Sequence, residues 1–298
     1  MILLSTSVGF KRDAEDYNEA MADEEWDWAS DLFQDSGYHD FAQSVKHEAR
    51  YIHQKPAREF MAKVLATLPQ RVGFIKDGQV LCRAQRGFTM GSVEGEDYER
   101  EMAHPPSRMV PTAEHSTDGR VGPRGIPCLY LASNMKTAVA EVRPWADSYV
   151  SLAQFKVVRR CKVVDCRSTK SDKLDKDQAM IWSDIAYAFS KPVSPEEPHL
   201  EYVPTQILAE TFRSEGFDGI LYESLLSKGT NIAFFDTASA ELMNCGLHKV
   251  RTVSFEFELS DNPYYMTKHY PEIAAQLETS YKTTDEQELP ERTEDASA

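Results

Sequence analysis

Three residues set far apart in the chain are of types that could act together on a phosphorylated sugar: Arg83, Glu141 and Ser224. Arg83 lies in Gln79-Val-Leu-Cys-Arg-Ala-Gln85, where strand alternation puts it on one face with Leu81 and Gln85. A guanidinium in so apolar a run needs a partner, because burying it alone is costly. A pyrophosphate suits its planar fork, and an internal carboxylate would serve as well. Glu141 closes the run Thr137-Ala-Val-Ala-Glu141, in the last turn of an expected helix. A carboxylate there opposes the helix dipole by about 0.3–1 kcal/mol, so something should compensate, Arg143 or a bound cation. Beside a ribose carbon it could stabilise an oxocarbenium ion, as carboxylates do in glycosidases, or it could simply face solvent. Ser224 ends Asp218-Gly-Ile-Leu-Tyr-Glu-Ser224, where its hydroxyl could bind a ribose hydroxyl or a carboxamide, or merely start a loop. It is not framed as Gly-x-Ser-x-Gly, which excludes a nucleophile elbow.

Further candidates cluster around Gly119-Arg120 and Gly125-Ile-Pro-Cys-Leu-Tyr130. Arg120 and Arg124 in a Gly/Pro loop could grip phosphate or be solvated. Tyr130 could stack on a ring or be core. Thr205 and Gln206 fall in the first turn of a helix opened by Pro204, where unpaired N–H groups can receive anions. Gly229-Thr-Asn231 reads as a turn. There is no Gly-x-Gly-x-x-Gly and no P-loop. No Cys-x-x-Cys pair occurs among the five cysteines, so no metal is expected. Most cysteines sit in apolar runs and are expected to be reduced, buried thiols in a cytoplasmic protein.

The elements that must position these groups follow from periodicity. Residues 12–69 read as helices, with Phe41, Val45 and Ile52, then Phe60, Val64 and Leu68, at helical spacing. Trp26, Ala29 and Phe33 form a third face, and the last helix should stop before Pro69. Residues 72–85 read as two strands about the turn Lys76-Asp77-Gly78. Residues 88–126 form a long Gly/Pro-rich loop of the kind that carries function. A strand over 128–132, a helix capped by Ser133 and running to about Arg143, and strands near 149–157 and 161–166 follow. Next come a helix over 174–190, a helix closed by Gly216, and strands over 218–224 and 231–235. Clean alternation over 249–259 predicts a last strand. The order gives an α+β fold. Of the net charge of −15, ten acids without a Lys or Arg lie between Asp13 and Asp35, and six acids with one Arg lie after Thr283. The rest is formally neutral, which argues against generic DNA binding. No apolar run is long enough for a membrane helix, and the short apolar start is not that of an exported chain.

Taken in order, these segments resemble the RES domain family, named for an Arg, a Glu and a Ser that match Arg83, Glu141 and Ser224. The resemblance runs over about 72–258. It is carried by Gly119-Arg120, Gly125-Ile-Pro-x-Leu-Tyr-Leu-Ala132, Thr137-Ala-x-Ala-Glu141-Val-Arg-Pro144, Tyr202-x-Pro-Thr-Gln206, Gly216-x-Asp-Gly-Ile-x-Tyr-x-Ser224 and Gly229-x-Asn231-x-x-x-Phe235. It implies an ADP-ribosyltransferase-like mixed sheet over 71–260, behind a helical domain over 1–70 of a type found ahead of some RES domains. A C-terminal extension over 261–298 would carry a disordered acidic tail. It implies NAD⁺ as substrate, cleaved by hydrolysis or phosphorolysis, with a toxin's role and a cognate antitoxin as partner. Transfer of an ADP-ribosyl or phosphoribosyl group to a macromolecule is the alternative, and a non-catalytic binding module the second. Oligomerisation is left open. The implied roles give Arg83 and Arg120 the pyrophosphate, Tyr130 the nicotinamide or its ribose, Glu141 the cationic ribose, and Ser224 with Asn231 the nicotinamide end. A third alternative makes residues 12–69 the working part, a helical interaction module separable from the rest; a chain starting near Pro69 tests it, since NAD⁺ loss should persist if the enzyme reading is right.

Overall fold

The computed structural model describes residues 37–92, 98–168, 174–193 and 198–255. The expected helix around Trp26 and the acidic segments at both ends lie outside these residues. The chain divides into a compact unit, Met1–Val253, and a second, Ser254–Ala298. All elements below belong to the first.

Two helices lead into the sheet. Helix α1 (Tyr38–Gln43) runs on as a π turn over Ser44–Glu48, and α2 (Lys55–Thr67) is opened by Pro56. The α-helix stops at Thr67, as the proline suggests, and Pro69 sits in a 3₁₀ turn, Leu68–Arg71. Phe41, Val45, Phe60, Val64 and Leu68 are buried as their spacing predicts. Ile52 is not: Ala49 is extended, the helix ends there, and Ile52 is 81% exposed.

The buried faces of α1 and α2 do not make a core of their own. They join one cluster with Trp182 and Ile185 of α5 (Lys176–Ser190), with Leu208 and Phe212 of α7 (Val203–Ser214), which follows the single turn α6 (Pro198–Glu201), and with Ile220 and Ala233 of the sheet. Trp182 Nε1 donates to Thr67 Oγ1 at 2.9 Å inside this cluster. The boundary near residue 70 is therefore a change of composition within one packed unit.

The fold is α+β, a mixed eight-stranded sheet preceded by helices. Its strands are β1 (Val72–Ile75), β2 (Val80–Arg86), β5 (Leu129–Ala132), β6 (Tyr149–Val157), β7 (Cys161–Asp165), β8 (Gly219–Glu223), β9 (Thr230–Phe234) and β10 (Ala240–Lys249). They lie in the order β1-β7-β8-β9-β5-β2-β6-β10, with β7 and β8 parallel and the other pairs antiparallel. The long loop contains a separate hairpin, β3 (Thr89–Ser92) with β4 (Glu99–Met102), and a single helical turn, α3 (Pro106–Met109).

Two expectations change. The strands flanking Gly78 exist, and Gly78 takes the positive φ the turn needs. They do not pair with each other: β1 joins β7 and β2 joins β6. The last strand among the described residues is β10, over 240–249, which ends where the expected strand over 249–259 was to begin. It pairs along β6 with a bulge between Leu242 and Asn244, and such a bulge breaks the strict alternation a sequence reader relies on. Residues 251–255 are irregular and Phe255 is 82% exposed, while 256–259 lie outside the described residues.

Candidate active site

The sheet parts in its middle. Strands β2 and β5 share one residue pair, Cys82 with Ala132, whereas β5 pairs with β9 over four. Beyond that pair the strands separate, and a cavity of about 600 Å³ opens, lined by Arg83, Arg120, Tyr130, Glu141 and Asn231 among others. Five of the six residues given a role by the family resemblance line one space; the sixth, Ser224, binds Glu141 at its edge.

Glu141 is the last residue of α4 (Met135–Glu141). The helix starts one residue later than expected: Asn134 is the cap, its Oδ1 accepting from Thr137 N at 2.9 Å. Ser133 instead accepts from Thr230 N at 3.1 Å and ties the helix to β9. Gly229 allows this closeness, since a Cβ there would collide with Thr137 and Asn134. Arg143 then turns away with a φ of 46°. The compensation that a carboxylate at a helix C-terminus requires comes from the sheet. Glu141 Oε1 accepts from Ser224 Oγ at 2.7 Å and from Asn231 Nδ2 at 2.7 Å. Among the described residues no donor reaches Oε2. Asn231 is fixed from both sides, as β9 pairs it with Ala132 and with Tyr222.

Arg83 stands at the parting of the strands. Its Nη1 donates to the Tyr130 carbonyl at 3.0 Å, and its buried Nε has no partner. No carboxylate among the described residues pairs with it. Burial pulls its pKa down to about 10, partly offset by Tyr130. A half-buried cation so incompletely satisfied is a place for an anion.

Tyr130 and Arg120 are more committed to the frame than the sequence suggests. The Tyr130 hydroxyl accepts from Val121 N at 3.0 Å and Gly122 N at 3.3 Å, and burial pushes its pKa well up. Arg120 donates to the Ala188 carbonyl at 3.1 Å and to that of Lys191, so it caps the C-terminal end of α5 while its charge remains on the cavity wall. Gln206 Nε2 holds the Gly119 carbonyl at 2.8 Å, and Thr205 Oγ1 the Tyr202 carbonyl at 3.0 Å. Gln206 thus braces the 119–122 loop, while Thr205 turns back onto its own helix. Arg124 gives its backbone N–H to Asp118 and does not line the cavity.

The sequence reading missed Arg86, Arg108 and Tyr202, which also line the cavity. Arg108 could have been suspected, since it sits between Pro105-Pro106 and Pro111 in the loop already marked as functional. It is placed through His104, whose N–H donates to Ser151 Oγ at 2.9 Å and whose Nε2 lies 3.0 Å from the Arg86 carbonyl. Four arginines and one glutamate thus face the cavity of a chain with a net charge of −15. The field there favours an anionic ligand. Among the described residues no group of His, Cys, Asp and Glu could hold a metal ion. The five cysteines are unpaired, four of them buried, and burial raises their pKa values. No helix among the described residues is long and apolar enough to cross a membrane.

A cleft at a parted sheet, lined by a braced carboxylate and by arginine, can receive an anionic ligand and present a fixed carboxylate to it. The RES domain model matches residues 92–258, more than half of the chain, and the chain belongs to the RES domain family. Glu141, Ser224 and Asn231 fall inside that match, and Arg83 lies just before it. Among solved structures, the chain is similar to one in the crystal structure of the M. tuberculosis MbcT–MbcA toxin–antitoxin complex. The identity is 14% and the TM-score 0.37, over 63% of this chain and 92% of that one. A likeness of that size carries no argument about activity. A search of curated proteins found no match.

Proposed function

We propose that this protein cleaves the bond between nicotinamide and ribose in NAD⁺. The observation that carries the reading is the pairing of a doubly braced Glu141 with a half-buried Arg83 that lacks an anionic partner among the described residues, both on one cavity. Arg83 takes the pyrophosphate, and the Arg86 and Arg108 charges add to the field. The nicotinamide ribose then lies against Glu141. The C1′–N bond breaks with its electron pair passing to the nicotinamide nitrogen, which loses its positive charge and leaves neutral. Glu141 Oε2 faces the oxocarbenium ion that remains, while Ser224 and Asn231 hold the other oxygen still. Water attacks C1′ and its proton passes to the carboxylate and on to solvent; with phosphate as the nucleophile the product is the 1′-phosphate. NAD⁺ is a substrate here, and these steps run through side chains alone. In the cell the reaction depletes NAD⁺, the act of a cytoplasmic toxin restrained by an antitoxin.

The test is nicotinamide release from NAD⁺, with and without phosphate, by the wild type and Glu141→Gln. Release by the wild type alone, with no label left on protein or nucleic acid, is the expected result. Label on a macromolecule would turn the reading to group transfer, and release by both proteins would contradict the role of Glu141.

A further inference from the structure

The cleft has a second lobe of about 550 Å³ that meets the first at Arg83, Gln85, Arg108, Thr117 and Tyr130. Glu141 and Asn231 line only the first lobe. This fixes a direction, granted the NAD⁺ reading above. With the nicotinamide ribose at Glu141 and the pyrophosphate at Arg83, the second nucleoside enters the second lobe. The space is of the size of a small-molecule site. Its lining is partly apolar, with Val110, Ile126 and Cys128, and partly polar, with Ser107, Arg108 and His115.

Dinucleotide sites tell a ribose 2′-hydroxyl from a 2′-phosphate by charge. A carboxylate accepts from the hydroxyl and repels the phosphate, whereas an arginine admits the phosphate. Among the described residues lining this lobe there is no Asp or Glu. Arg108 is exposed there, and among the described residues no ion pair or side-chain hydrogen bond engages it. His115 spends Nδ1 on Thr112 Oγ1 at 3.1 Å, and no hydrogen bond among the described residues engages its Nε2. The Ser107 hydroxyl is likewise unengaged among the described residues. We propose that the second lobe admits a 2′-phosphorylated adenosine, so that the enzyme cleaves NADP⁺ as well as NAD⁺. The extra phosphate lies at the far end of the dinucleotide, so the bond broken and the fate of its electrons are the same for both.

The experiment compares kcat/KM for NAD⁺ and NADP⁺, with Arg108→Ala and Ser107→Asp as variants. The NADP⁺ value should lie within about tenfold of the NAD⁺ value, a difference smaller than one charged contact makes. Each variant should lower the NADP⁺ value about tenfold more than the NAD⁺ value. Cleavage of NAD⁺ with NADP⁺ below one-tenth of it would overturn the proposal and leave the reaction standing. Equal losses for both dinucleotides in both variants would overturn it too. If neither dinucleotide is cleaved, the reaction fails, and calorimetric titration of both into Glu141→Gln decides the lobe separately. NADP⁺ binding within about tenfold of NAD⁺ supports it, and weaker or no NADP⁺ binding overturns it.

Discussion

The two ends of the cleft solve opposite problems. At one end Glu141 is an anion already satisfied, with two donors on a single oxygen and the other oxygen open. At the other end Arg83 is a cation left short, with one carbonyl and an unpartnered Nε. The first is preorganised and needs no ligand to hold its shape. The second carries a desolvation cost that only an anion relieves. On the proposed NAD⁺ reading the difference assigns chemistry to the first and binding to the second: a reacting carboxylate must not move, whereas a binding cation profits from being unpaired until substrate arrives.

Glu141→Gln breaks the comparison most severely. Nicotinamide release should fall by about 10³-fold or more, since the carboxylate charge that faces the oxocarbenium ion is gone. Folding should persist, because the amide oxygen can still accept from Ser224 and Asn231; a thermal melt reads this. Arg83→Met sharpens the other end, with activity and stability moving in opposite directions. KM for NAD⁺ should rise about 100-fold, while the unliganded protein gains about 1–3 kcal/mol from losing a half-satisfied buried charge. A loss of stability in Arg83→Met would mean that the arginine is structural. Ser224→Ala should lower kcat by about 10- to 100-fold with KM little changed, matching the roughly 1.5–3 kcal/mol of a hydrogen bond to a charged group.

The smallest effect is on the frame that holds Arg120, whose partner Lys191 also binds Glu201. Burial pushes the Glu201 carboxyl up, but hydrogen bonds from Lys46 and Lys191 outweigh this and hold it below the usual range. A depressed carboxylate stabilises the fold above its unfolded pKa and loses that contribution as pH falls through the folded value. The acid limb of the stability profile, at about pH 4 and below, should therefore flatten in Glu201→Gln. Asp218, held down by Arg159 and the Lys162 N–H against its burial, adds to the same limb.

Much of this was legible in the sequence where local rules decide. The strands over 149–157, 161–166, 218–224 and 231–235, and the helices around Ile185 and Leu208, stand within a residue or two of their expected places. Residue types also announced the site: Arg83 in an apolar strand and Glu141 at a helix C-terminus each asked for a partner. What the sequence could not supply was the partner itself. Ser224 and Asn231 lie 83 and 90 residues from Glu141, and only sheet order brings them together. The same limit explains the pair around Gly78, where a good turn joins strands that bond elsewhere. It explains β10 as well, whose bulge hides it from a period-two reading. It also explains the helices before residue 70. Their apolar faces were visible, but not that Phe41 and Phe60 would stack and enter the core of the sheet. A chain cut near Pro69 therefore exposes that core, and its activity no longer tests whether the helices are separable.

The most direct test is the structure of Glu141→Gln with NAD⁺ bound. The account predicts the nicotinamide ribose C1′ against the side chain at position 141 and the pyrophosphate on Arg83, across the parting of β2 and β5. A dinucleotide bound in reverse, or outside this cleft, would contradict it.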